Sequence, residues 1–133
     1  MAEVKLLNPD TLGKPLGPYS HIARVKASEF LFIAGQVGAA KDGRVGESFD
    51  EQCTLAYEAL RAALESQGAT FANVCEFTTY LVHSQDIPKF MAWRAANFPK
   101  LFPGGKYPPN TLLIIDRLVK EELLIEISAV AAL

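Results

Sequence analysis

The chain has 133 residues, half of them apolar, which suits one domain that buries its own core without disulfide or metal staples. A formal charge of −2, with Lys and Arg scattered singly, supplies no basic stripe to grip a phosphate backbone, so nucleic acid is not an expected partner. The two cysteines, Cys53 and Cys75, are too few for a disulfide framework and lack zinc or redox spacing; with no secretory signal or membrane-length apolar run, the expected location is the cytoplasm.

Residues 21–26 and 29–37 read as two strands, the second running Phe30-Leu31-Phe32-Ile33-Ala34 to Gly35. Lys26-Ala27-Ser28-Glu29 is expected to join them as a hairpin. Lys41-Asp42-Gly43 marks a loop, and Ser48 followed by Glu51 has the form of a capping box that opens a helix. In that helix Phe49, Cys53, Ala56, Leu60, Ala63 and Leu64 form one apolar stripe, and Gly68 stops it. The β-rich run Asn73 to Val82 puts Cys75, Phe77, Thr79 and Leu81 on one face of a strand whose two faces are both expected to be at least half buried.

Asp86 is the expected cap of a second helix that tolerates Pro88 in its first turn and is broken by Pro99. After the turn-rich segment 102–109, strands are predicted at about Thr111 to Leu118 and Leu123 to Ala131. The order β-β-α-β-α-β-β predicts a single α+β domain over residues 1–133, a two-layer sandwich with two helices on one face of a mixed sheet. The other sheet face needs cover. A positive mean hydropathy, high for so small a domain, points the same way, to subunits packing together.

His21 follows a Gly-Pro turn and His83 lies just past a strand end; both read as solvated loop residues, and no nucleophilic triad or metal-ligand spacing is present. Cys53 and Cys75 read as small core hydrophobes. Gly35-Gln36-Val37-Gly38 lacks the following helix of a phosphate loop and reads as exposed backbone at a strand end. Glu126 is embedded in Leu124-Ile125-Glu126-Ile127, where burying a carboxylate is costly without a partner; the alternative is a solvent-facing position on an edge strand. Tyr19 and Tyr107 stand in Pro- and Gly-containing loops, as packing anchors or ligand contacts. The turn and strand start Pro108-Pro109-Asn110-Thr111 is the first place to look for function.

Gly17-Pro18-Tyr19 before the first strand, Ala34-Gly35-Gln36-Val37 at the end of the second, the turn from Tyr107 to Thr111, and Arg117-Leu118 leading into Ile125-Glu126-Ile127-Ser128-Ala129-Val130-Ala131 are specific together. Over nearly its whole length the chain resembles the RidA family, also called YjgF or L-PSP endoribonuclease. The resemblance implies a chorismate-mutase-like homotrimer with a central barrel of sheets and small-molecule clefts between subunits. It further implies cofactor-free and metal-free hydrolysis of reactive enamines and imines to keto acids and ammonia, in which an Arg holds the substrate carboxylate and a Glu positions water.

Tyr19, Gly35 and Glu126 fall on family cleft positions, with Glu126 the expected catalytic residue and Tyr19, Gly35, Asn110 and Thr111 expected to bind substrate. Where RidA proper has Pro-x-Arg-Ser, this chain has Pro108-Pro109-Asn110-Thr111, so a neutral amide stands in place of the charged fork; Leu112 stands where the family often has Cys. Arg94, beside Trp93 on the second helix, is a candidate compensating cation, and its alternative reading is a surface helix residue. The expected activity is deamination or a related hydrolysis of a small enamine or imine, including a larger one such as 2-aminomuconate. The rivals are a non-catalytic metabolite-binding or protein-interaction trimer and, disfavoured by the acidic balance, a ribonuclease.

Overall fold

The computed structural model describes residues 2–133, which form β1 (Glu3–Leu7), β2 (Ile22–Lys26), β3 (Phe30–Val37), α1 (Phe49–Glu65), β4 (Val74–Leu81), α2 (Ile87–Leu101), β5 (Asn110–Ile114) and β6 (Ile125–Ala132). Four strands make the main sheet in the order β3-β6-β4-β5. β6 is antiparallel to both β3 and β4, while β5 runs parallel to β4 and so needs the long crossover that α2 supplies.

Alternation decides which face carries the core. Ile125, Ile127, Ala129 and Ala131 of β6 are buried on the helix side, and Glu126, Ser128 and Val130 take the other side. Against the first set pack Phe49, Cys53, Ala56, Leu60 and Leu64 of α1 and Phe90, Trp93 and Phe98 of α2. Tyr57 is the hub of the helix layer, stacked on Trp93 at 4.6 Å and edge-on to Phe77 and Phe98 at 5.9 and 5.7 Å. Among the described residues the opposite sheet face has no covering layer: Phe30, Phe32 and Leu113 are 47, 81 and 43 % exposed.

Four expectations about elements change. β2 pairs with β1, a strand the sequence reading missed, with Val4 opposite Val25; it does not form a hairpin ladder with β3. A tight hairpin turn asks for φ > 0, and the connection Ala27-Ser28-Glu29 has no glycine to provide it. The Ser28 and Glu29 amides instead bond to the Leu133 carbonyl at 3.2 and 3.3 Å. α2 runs through Pro99 to Leu101, because a proline in the last turn removes only the bond to the carbonyl of exposed Ala95, while Phe102 N still reaches Phe98 O at 2.7 Å. Asp86 stands at the N-cap without a side-chain cap bond; its buried carboxylate faces Lys89 Nζ at 3.4 Å. β5 stops at Ile114, well before Leu118.

The predicted start of α1 holds. Ser48 Oγ accepts from Glu51 N at 3.1 Å, and the Glu51 carboxylate returns to the Glu47 amide at 3.2 Å rather than to the cap's own.

Candidate functional site

The turn at Pro108-Pro109 delivers β5 alongside β4. Pro109 O accepts from Phe77 N at 2.8 Å, which sets Asn110 opposite Phe77. Thr79, fully buried on the adjoining strand, donates its hydroxyl to Asn110 Oδ1 at 2.7 Å. That bond restrains the amide through its oxygen and leaves the N–H2 as a donor. Leu112, two residues on, shares this helix-side face.

Above Asn110 lies α2, where Met91 and Arg94 are one helical turn apart. Arg94 is only 4 % exposed. Its guanidinium carbon sits over the Phe90 ring at 4.2 Å and near the Phe98 ring at 5.9 Å, Nη2 donates to Met91 Sδ at 2.9 Å, and buried Nε has no partner. No salt bridge among the described residues includes it. Burial pushes its pKa down from the ordinary value, yet an arginine so placed stays charged. The Gly17-Pro18-Tyr19 loop forms the remaining wall; the Tyr19 hydroxyl accepts from Leu16 N at 3.1 Å. Gly17, Tyr19, Met91, Arg94, Asn110 and Leu112 line a cavity of about 320 Å³.

Glu126 lies elsewhere. It is half-buried on β6, opposite Val37 and Tyr80, on the helix-free face of the sheet. Its side chain lies across Gly35, where an added Cβ would collide with the carboxylate, so the glycine is required by close approach and not by backbone conformation. The start of β6 is anchored from behind by Gln52, which is 1 % exposed: Nε2 donates to Gly46 O at 3.1 Å and Glu122 O at 2.9 Å, and Oε1 accepts from Leu124 N at 2.8 Å. Gly38 has no side chain because Gln52 occupies that space. Sequence reasoning missed Gln52. Its position beside Phe49, Cys53 and Ala56 on the buried stripe was the available signal: a polar residue there must be satisfied.

The fold therefore brings Tyr19, Arg94 and Asn110 together and pairs Gly35 with Glu126, but sets these two groups on opposite faces of the sheet. Thr111 is separate from Asn110, exposed and opposite Thr78 on the helix-free side. Arg94 is not a surface residue, and Glu126 is not on an edge strand, since β6 is flanked by β3 and β4. His21 is not a free loop residue: it is half-buried, with Nε2 2.6 Å from Gly13 O and its ring edge-on to Tyr19 at 6.0 Å. Tyr107 is a packing anchor against Phe98 and Phe102 at 5.4 and 5.8 Å. Cys53 is fully buried and burial pushes its thiol pKa up, the state of an unreactive core residue. Among the described residues no cluster of His, Cys, Asp and Glu could hold a metal, and no helix is long and apolar enough to cross a membrane.

Residues 10–133 match the family model described as Endoribonuclease L-PSP. A RutC family protein of Pyrococcus horikoshii is 35 % identical over 122 residues, covering 89 % of each chain, and one of Pyrococcus abyssi is 33 % identical over 122 residues, covering 89 % of this chain and 88 % of its own. Among solved structures, YyfB of Yersinia pestis, a protein of unknown function in the conserved Rid family, superposes with a TM-score of 0.85 at 31 % identity, covering 98 % of both chains. RidA from an Antarctic Psychrobacter superposes with a TM-score of 0.71 at 22 % identity over 97 % of this chain and 99 % of its own, a likeness of fold. With its sheet, its two helices and its sequence all aligned to these proteins, the chain belongs to the endoribonuclease L-PSP family, the RidA/YjgF family.

Proposed function

We propose that the protein is a cofactor-free hydrolase of small imines, including those that arise from enamines, working in clefts between the subunits of a homotrimer. The observation that carries this reading is the Glu126 carboxylate laid across Gly35 on an interior strand, with Gln52 bracing the start of that strand. A carboxylate held there is suited to orient a water and accept its proton as the oxygen attacks the C=N carbon. The nitrogen takes up a proton, the tetrahedral carbinolamine collapses, the C–N bond breaks, and ammonia leaves as the carbonyl forms.

The division of the site supports an assembly of this kind. Tyr19, Arg94 and Asn110 stand on the helix side of the sheet and Gly35–Glu126 on the other, so one chain cannot close both around a single small substrate. Copies packed through the helix-free face would cover Phe30 and Phe32 and could bring the Glu126 half of one subunit to the cavity half of its neighbour. The ribonuclease activity in the family's name is disfavoured, because a net charge of −2 is poorly suited to RNA.

Purified protein is expected to accelerate ammonia release from 2-aminoacrylate generated in situ or from 2-aminomuconate, and Glu126→Gln to lose about 100-fold of that rate or more. Background rates with every imine tried would sink the hydrolase reading. Asn110, a neutral donor at the cleft, favours the second reading, a ligand-binding trimer without turnover, whose mark would be thermal stabilisation by a keto acid in the absence of ammonia release.

A further inference from the structure

We propose that Arg94 is the anion-binding residue of the helix-side cavity, so that the ligand this cavity takes is a small organic acid whose carboxylate meets the Arg94 guanidinium beside the Asn110 amide. The inference deepens the imine-hydrolase reading by naming the substrate class, and it rests on that reading only for the identity of the reacting group.

An arginine that is more than nine-tenths buried normally faces a carboxylate. Arg94 does not: its surroundings are two aromatic rings, the thioether of Met91 and the Tyr19 loop, and the groups that bear electrostatically on it are Tyr57, Cys53 and Tyr19, none of them anionic at neutral pH. A thioether is a weak acceptor, and Nε has no acceptor at all. The chain thus holds a desolvated positive charge with unspent donors at the wall of a cavity.

The remaining features suit an anion. Gly17 keeps the near side open, since a Cβ there would stand 3.5 Å from Nη2 and 3.2 Å from Met91 Cε. Asn110 Oδ1 accepts from Thr79, and the amide N–H2 remains as a donor that an anion could use. The cation–π contact with Phe90 at 4.2 Å restrains the guanidinium, which lowers the entropy lost when two parallel N–H···O bonds form. The volume, about 320 Å³, limits the ligand to a small molecule.

The test is binding of 2-oxobutyrate and its uncharged methyl ester to the intact protein, followed by NMR titration. Wild type is expected to bind the acid at least about tenfold more tightly than the ester, and Arg94→Gln to lose that preference. Arg94→Lys should keep the preference in part, because it retains charge without the fork. Equal affinity of wild type for acid and ester would overturn the proposal, and that measurement needs no variant to fold. So would an Arg94→Gln protein with wild-type affinity for the acid. Arg94-dependent acid binding without ammonia release would retire the hydrolase reading and leave this proposal standing; turnover with unchanged KM in Arg94→Gln would do the reverse.

Discussion

At Gly35 a single missing methyl group decides where Glu126 rests. Gly35→Ala would set Cβ within 2.7 Å of Glu126 Cγ, with the carboxylate closer still, so either the strand shifts or the side chain leaves. The variant is expected to lose about 1–3 kcal/mol in urea unfolding together with most of the imine turnover; a protein of wild-type stability and rate would show that Glu126 is not held there. Cys53 makes a separate prediction. Its thiol is raised by burial, so below about pH 8.5, the unfolded value, both states are protonated and nothing is lost. Above that pH the unfolded chain sheds the proton and the folded one does not, so stability falls as pH rises. Between pH 8.5 and 9.5 the contribution amounts to about 1 kcal/mol, and urea midpoints should decline less steeply for Cys53→Ala than for wild type. Residues whose role lies in local chemistry, such as Asn110 in its turn, could be singled out from sequence. Arg94 too could be named as a candidate cation, but its burial between two rings without an anionic partner could not be read there, nor could the strand that Gln52 braces, because a polar side chain on a helix reveals its role only through the strands and rings it meets.

Elements follow local rules where the rule is complete within a few residues. Ser48 is such a case, and Ser48→Ala should cost about 1 kcal/mol in equilibrium unfolding without changing the active cleft; no loss would mean that the Glu51 return to Glu47 alone suffices to cap α1. The stripe from Phe49 to Leu64 and the alternation of β4 and β6 were equally legible, since each states its own period. What failed was pairing. β2 and β3 are adjacent in sequence and read as a hairpin, yet β2 takes β1 as its partner while the C-terminal carbonyl receives the Ser28 and Glu29 amides. That choice depends on a residue more than one hundred positions away, which no local pattern encodes. Pro99 failed for a different reason: its penalty shrinks in a final turn whose carbonyls are solvated.

The molecule as a whole has one covered sheet face and one bare one, and the bare one carries Phe32 at 81 % exposure. The two-layer arrangement and the need for cover were readable from the order of elements, whereas the separation of Asn110 and Glu126 onto opposite faces was not, because it depends on the register of β5 and β6 against β4. Phe32→Glu is expected to yield monomer in light scattering, against trimer for wild type, and to abolish turnover with the fold intact by circular dichroism. The central claim is that the working cleft is shared between subunits, and mixing tests it most directly. Glu126→Gln subunits are refolded together with subunits carrying both Arg94→Gln and Asn110→Ala, and ammonia release from 2-aminoacrylate is measured. Each parent alone should be inactive, while about a quarter of the clefts in an equal mixture join two intact halves and should regain activity in proportion. A mixture as inactive as its parents, although heterotrimers have formed, would contradict the account.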